Sequence, residues 1–449
     1  MRNLLLAGVA LGAVTAMVSA TPARADDQPA AVFPVTTETD LAGYNGPSLN
    51  GAAPGSVQVN LGGRTFSALW FQSSFLKGTP GWAKPIEPDF NYWFFLYPGF
   101  DYASPSGIHF GAQAEMRVTS TAQGASSGGN TNSPLPFFHQ AFTYVSSPVL
   151  GKVQFGIPSG ALVANSVGTS DDFGTGTFFS WYNPGVPWTM ADAPDNYITN
   201  QKVVYTSPTF AGFLGAISFQ PSPTSLNWFG ANTQAMNPAA FGGTTFAAGL
   251  VDAQGTLLSK NRVEMVVKYS GTFGGFGLSA DGGYVFSGAE KSGATTVAQD
   301  VSYGNFGVKM TYAGIEVEGS VNTGKFNVAI VDNGNPDGPL PLGAKGSTTY
   351  VAAVGYQTGP FKAGVVYYGG NYDQGDFTGG TIGKTGNFSG YGLGASYTVG
   401  PGVVAYLDAT TSTIDEGNWA MQTGGPAAAG AAFGKMHPAG LGVGTFFTW

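Results

Sequence analysis

Apolar and polar residues alternate with a period of two through most of this chain. Side chains of an extended strand point alternately to opposite faces, so such a period marks strands with one apolar face. In 108–118, Ile108, Phe110, Ala112, Ala114, Met116 and Val118 share one side. His109, Gly111, Gln113, Glu115 and Arg117 share the other. In 262–269, Val263, Met265, Val267 and Tyr269 oppose Arg262, Glu264, Val266 and Lys268. Phe306, Val308, Met310 and Tyr312 oppose Asn305, Gly307, Lys309 and Thr311. Ile315, Val317 and Val321 then oppose Glu316, Glu318, Ser320 and Asn322. At the C-terminal end, Leu441, Val443, Thr445, Phe447 and Trp449 oppose Gly442, Gly444, Phe446 and Thr448. An exposed strand with an apolar stripe invites aggregation in a soluble domain. In a membrane β-barrel it pairs with the first strand and no edge remains.

The pattern predicts strands near 57–73, 90–101, 108–120, 137–146, 152–157, 200–207, 210–220 and 261–270. It predicts others near 276–287, 301–312, 315–322, 348–357, 361–371, 388–398, 403–412 and 441–449. These are sixteen, the even number expected of a bacterial barrel. The connections alternate in length. Short turns are predicted at 103–107, 147–151, 207–209, 271–275, 313–314, 358–360 and 399–402. Long loops are predicted at 74–89, 121–136, 158–199, 221–260, 288–300, 323–347, 372–387 and 413–440. A soluble sandwich also alternates apolar and polar positions, but it has no reason to keep short turns on one side and long loops on the other. Outer-membrane barrels do.

Composition agrees. Charged residues are 10% of the chain, against about 25% in an ordinary globular protein. Glycine supplies 70 of 449 residues. After the N-terminal segment no apolar run reaches the roughly 20 residues of a membrane helix. There is no cysteine, hence no disulfide and no thiolate chemistry.

The N-terminus reads as a secretory signal. Arg2 is the positive start, 4–20 the apolar core, and Ala23, Arg24 and Ala25 an A-x-A cleavage site. The alternative is an uncleaved anchor, but Asp26 and Asp27 and a Pro/Gly-rich stretch follow directly. The chain therefore divides into a signal peptide at 1–25, an extension at 26–56 without sustained period, and a barrel at 57–449. Cleavage removes Arg2 and Arg24. Lys plus Arg falls from 18 to 16 against 26 acidic residues, a mature net charge of −10. An acidic chain argues against nucleic-acid partners and mildly favours cationic solutes.

Other chemistry is weak. Gly390, Gly392 and Ala395 fit a G-x-G-x-x-A dinucleotide fingerprint, but no βαβ unit surrounds them. His109, His139 and His437 have no metal-ligand spacing, so no metal or other cofactor is expected. Asp171 with Asp172, and Glu316 with Glu318, could suggest acid–base work, yet a polar lumen face accounts for Glu316 and Glu318, and pore lining or an exposed loop for Asp171 and Asp172. No G-x-S-x-G nucleophile elbow is present.

At this point the chain resembles the Gram-negative general porins, alphaproteobacterial type. The likeness rests on Leu96, Tyr97, Pro98, Gly99, Phe100 and Asp101 before the first turn. It also rests on 207–213, which runs Ser-Pro-Thr-Phe-Ala-Gly-Phe, on 57–64 and on the terminal aromatic. The resemblance implies an all-β fold, a sixteen-stranded antiparallel barrel. It implies a homotrimer, a lipid-facing outer wall and insertion by the barrel assembly machinery through the closing strand with Phe447 and Trp449. It implies a third long loop folded inward as a constriction; here that is 158–199, with Asp171, Asp172, Asp192 and Asp195 and no Lys or Arg. The extension at 26–56 and the length of loop 221–260 depart from that pattern, so either long loop could narrow the pore.

Alternation assigns Arg64, Arg117, Lys202, Arg262, Lys268 and Lys309 to the lumen as basic wall residues. It assigns Glu115, Glu264, Glu316 and Glu318 as acidic ones. The expected function is passive diffusion of small hydrophilic solutes and ions, weakly cation-preferring and not enzymatic. An outer-membrane barrel hydrolase and a secreted β-rich adhesin without a pore are the rivals.

Overall fold

A computed structural model describes residues 52–72, 89–119, 137–168, 201–221, 260–288, 290–292, 295–298, 300–326, 346–373, 385–414, 437 and 439–449. The strands are β1 (Val57–Gln72), β2 (Asp89–Ala103), β3 (His109–Thr119), β4 (Phe137–Ser147), β5 (Gly151–Ile157) and β6 (Lys202–Thr206). Next come β7 (Phe213–Gln220), β8 (Lys260–Phe273), β9 (Phe276–Gly288), β10 (Glu290–Ser292), β11 (Thr295–Ala298) and β12 (Val301–Tyr312). The last are β13 (Ile315–Lys325), β14 (Ser347–Thr358), β15 (Phe361–Asp373), β16 (Thr385–Gly400), β17 (Val403–Ile414) and β18 (Ala439–Thr448). Sixteen of them close into one antiparallel barrel; β10 and β11 form a separate hairpin. The signal peptide, and the extension up to residue 51, lie outside the described residues.

Every predicted barrel strand is present, with three corrections between them. The loop predicted at 288–300 contains the β10–β11 hairpin. The turn predicted at 207–209 falls later, and β7 begins at Phe213 rather than near 210. Ala211 and Gly212 take φ of 49° and 83°, and Phe210 and Phe213 exchange backbone hydrogen bonds of 2.8 and 2.9 Å across them. Two successive positive φ values match the twist of a tight hairpin, so the reversal is there. The turn predicted at 271–275 shrinks to Gly274 and Gly275, because β8 continues to Phe273.

Register sorts the side chains into two walls. Met265 and Val267 on β8, Leu393 on β16 and Leu407 on β17 stand exposed on the outside. Between them Arg262, Glu264, Asn322, Thr349 and Asp408 point inward and are buried. Glycines let rings lie flat on the inner wall. Tyr144, Tyr368 and Tyr406 each pair across strands with a glycine: Gly111, Gly390 and Gly444. A Cβ on any of these three would run into the ring. Gly390 thus seats Tyr368 in a strand, which disposes of the dinucleotide fingerprint.

The seam that closes the barrel pairs β1 with β18, from Arg64↔Thr448 to Gln72↔Gly440. Beyond the last ladder pair, Trp449 and Gly63 exchange backbone bonds of 3.1 and 3.0 Å. The Trp449 ring covers Gly63 and packs on Phe94 at 5.8 Å. Phe447 and Trp449 are exposed on the outer face. Net, a backbone hydrogen bond contributes about 1 kcal/mol and an aromatic pair about 0.5–1.5 kcal/mol. Deleting Trp449 should therefore lower the amount of heat-modifiable barrel in the outer membrane several-fold, with single-channel conductance of the survivors unchanged. Wild-type levels of folded barrel would contradict this.

Candidate functional site

The lumen is built by the inward residues of the strands and by one segment that leaves the wall. After β5 the chain does not continue outward. Residues 158–168 turn into the barrel, and Ala161, Leu162, Val163 and Val167 are buried there.

Wall side chains hold this segment from strand to strand. Gln140 on β4 donates from Nε2 to the Ser159 hydroxyl at 3.1 Å. The backbone N–H of Ala161 donates to Ser218 Oγ on β7 at 3.2 Å. That of Leu162 donates to Glu264 Oε2 on β8 at 3.1 Å, and that of Val167 to Asp281 Oδ1 on β9 at 2.8 Å. Carboxylates suit this task, because each buried N–H needs an acceptor and a charged acceptor makes a stronger bond.

Glycines give the segment room. A Cβ at Gly283 on β9 would meet the Leu162 side chain. One at Gly307 on β12 would meet the Val167 carbonyl and the Asp281 carboxylate. Gly168 lies against the carbonyls of Gly319 and Val308 on β13 and β12. Glu264 therefore serves as an acceptor for the inward segment, a role alternation alone could not reveal.

Two groups of charges occupy the rest of the described wall. Arg64 on β1 and Arg117 on β3 both lie over the ring of Phe95 on β2, with guanidinium carbons 4.6 and 5.1 Å from its centroid. Arg117 Nε also donates to Glu115 Oε1 at 2.5 Å. On the other side Lys309 Nζ lies 3.1 Å from Glu316 and 4.0 Å from Glu318, and Lys362 Nζ lies 3.6 Å from Glu316.

Arg262 is buried, 3.6 Å from Glu264 and 3.4 Å from the Tyr303 hydroxyl. Lys202 is buried on β6. Lys268 pairs in register with Asp281. So the six basic and four acidic positions assigned by alternation all stand on the inner wall. Asp171, Asp172, Asp192 and Asp195, and loop 222–259, lie outside the described residues.

The sequence reading missed several inner-wall charges. Asp101, fully buried, accepts from the Tyr144 hydroxyl at 2.8 Å and pairs with His109 Nδ1 at 2.6 Å. It follows Pro98 and Gly99, which blur the alternation of its strand. Asp281 sits beside Gly282 and Gly283, and Asp408 among small and hydroxyl residues. Lys152 and Lys362 stand second in their strands, close to a turn. Counting alternate positions back from Gln154 and Val366 would have placed both lysines. No group of three or more metal-ligating side chains occurs among the described residues.

Comparison with known proteins agrees with the geometry. The family model of Gram-negative porins matches residues 88–417. No curated protein matches the sequence. Among solved structures, the anion-selective porin of Comamonas acidovorans is similar over 88% of this chain and 100% of its own, with 16% identity and a TM-score of 0.50. OmpF of Salmonella typhi, in complex with daunomycin, is similar over 87% of this chain and 97% of its own, with 14% identity and a TM-score of 0.50. A closed sixteen-stranded barrel with charged side chains inside and apolar ones outside is a water-filled passage through a bilayer. The chain belongs to the Gram-negative porin family and is an outer-membrane channel for passive diffusion.

Proposed function

We propose that this porin works as a homotrimer that passes small hydrophilic solutes and ions with a weak preference for cations. The observation that carries the reading is the segment 158–168 laid across the inner wall, which narrows a polar lumen at one level. In this reading the protein is exported through a signal peptide cleaved after Ala25. The barrel assembly machinery inserts it, and it has no enzymatic activity. The trimer rests on membership of the family. Three barrels per particle should appear in a planar bilayer as insertion in one step and closure in three equal ones, with a mature N-terminus at Asp26 by mass spectrometry. Single-step closure, or no conductance at all, would overturn it.

The cation preference belongs to the loop rather than to the wall. Along the described wall carboxylates and cations nearly balance, and most are tied to one another or to the inward segment. Charges beyond about 8–10 Å are screened at physiological salt, so the total of −10 decides little. Asp171, Asp172, Asp192 and Asp195 follow the inward segment with no cation among them, and low-dielectric walls focus their field. Wall cations such as Arg64, Arg117 and Lys202 partly cancel it.

Asp171→Asn together with Asp172→Asn should move the reversal potential in a KCl gradient towards anions while leaving the barrel folded. An unchanged potential would redirect attention to loop 221–260. The size of the opening should answer to a different change. Gly283→Val would place a side chain against Leu162 and push the segment towards the axis. Single-channel conductance should fall by tens of per cent with selectivity little altered; wild-type conductance in a folded barrel would contradict the seating described above.

A further inference from the structure

We propose that Lys152 is the centre of a binding subsite for a small oxyanion of the phosphate class, on the lumen wall at the short-turn mouth of the channel. The proposal rests on the channel reading above. Arg117, Arg262, Lys309 and Lys362 each have a carboxylate oxygen at 3.6 Å or less. Among the described residues Lys152 has none, and its ammonium has no hydrogen-bond partner there either. It is half-buried on β5, the second residue of the strand. A cation drawn out of water without a counter-charge is costly. An anion that supplies the counter-charge removes that cost.

Register shows what surrounds it. Lys152 pairs with Ser146 across β4 and β5 and with Thr206 across β5 and β6. Ser146 pairs in turn with His109 on β3. Directly opposed side chains of an antiparallel sheet have Cβ atoms about 5 Å apart. Tyr144, Gln154 and Val204, two residues away on the same strand faces, are buried on the inner wall. His109, Ser146, Lys152 and Thr206 therefore form one inward row, beside the turn that joins β4 to β5.

That row holds no carboxylate. Asp101 stands in the next row, which runs through Gly111 and Tyr144 to Gln154. Both of its oxygens are used: Oδ1 accepts from the Tyr144 hydroxyl, and Oδ2 lies 2.6 Å from His109 Nδ1. Asp101 thus offsets the histidine and leaves Lys152 as the uncompensated charge.

Gln154, the next inward residue after Lys152, adds a second unused donor. It is 5% exposed, and its Nε2 is buried without an acceptor. A half-turn of the amide exchanges its nitrogen and oxygen ends, so its hydrogens can turn towards a ligand at Lys152. An ammonium and an amide nitrogen are donors, and the hydroxyls of Ser146 and Thr206 can rotate to donate as well. What this part of the wall lacks is acceptors, and an oxyanion consists of them. Neighbouring strands lie about 4.8 Å apart, so one tetrahedral anion can meet Lys152 and a hydroxyl beside it. The short turns of an outer-membrane barrel face the periplasm, which puts the subsite where an entering solute leaves the channel.

The test uses the full-length protein in planar bilayers in KCl, with inorganic phosphate added at constant ionic strength. It compares wild type with Lys152→Gln, Lys152→Met, Lys152→Arg, Gln154→Leu and Lys362→Gln. Each variant is first checked as heat-modifiable barrel; Gln and Met remove the charge in two different ways, so one can stand in if the other fails to fold. Phosphate should lower the wild-type conductance reversibly and saturably. Lys152→Gln and Lys152→Met should raise the half-blocking concentration roughly tenfold, the loss of one charge-assisted hydrogen bond. Gln154→Leu should raise it by a smaller factor, and Lys152→Arg should stay near wild type. Lys362→Gln removes a lysine from another strand at the same mouth and should also stay near wild type. A conducting wild type without saturable block would overturn the proposal. So would an unchanged half-blocking concentration in the Lys152→Gln, Lys152→Met or Gln154→Leu variant, or an equal rise in Lys362→Gln. A wild-type protein without conductance would instead strike at the channel reading itself.

Discussion

The hydrocarbon core of a bilayer offers no water to a peptide group, so every N–H and C=O inside it must find a partner in the protein. Sheets meet that demand only when they close. Here closure depends on β1 reaching β18, and the Ser67 and Thr445 hydroxyls that touch across this seam are separated by 378 residues of sequence. The other strand pairs join elements adjacent in the chain or, for β9 and β12, separated by one small hairpin. The architecture is therefore a run of local hairpins made permanent by one distant pairing. Such a long-range contact is slow to form, and the terminal Trp449 adds backbone and ring contacts at that point.

Once the sheet is closed, polar groups have nowhere to go but inward, and there they must be satisfied in turn. The lumen wall does this with cross-strand partners. Asn305 donates to Asn322 at 2.7 Å, and Asn322 to Thr349 at 3.3 Å, in a ladder over three strands. Lys309 on β12, Glu316 and Glu318 on β13 and Lys362 on β15 share charge in the same way. Leaving one partner of such a set alone in a buried site is costly, whereas the complete set is close to neutral. The inward segment uses the same wall: its own N–H groups donate to Ser218, Glu264 and Asp281.

The fold was legible because alternation is a property of a single strand, readable from the spacing of Val263, Met265 and Val267 or of Ile315 and Val317. Barrel strands and the inner wall followed from it. Contacts between strands were not legible, since register is fixed by the whole sheet. That is why Gly390 could mimic a nucleotide motif when it is the seat of Tyr368. It is also why Glu264 read as a plain lumen charge when it receives the Leu162 N–H. Asp101 and Asp281 escaped because Pro98, Gly99, Gly282 and Gly283 dilute the alternation around them. The turn at Ala211 and Gly212 was misplaced because Pro208 offered the more conspicuous signal.

The seat under the inward segment is made of missing side chains, at Gly283 and Gly307, while the charges of the passage belong to other residues. Sieve and filter are thereby written in separate letters. A side chain added at Gly283 would meet Leu162 and no charged group, so it can adjust the mesh without moving a charge, and exchanging a charge need not alter the mesh. A lineage could drift along either axis alone, so pores built on this plan can diverge in what they admit by size and in what they admit by sign as two independent traits.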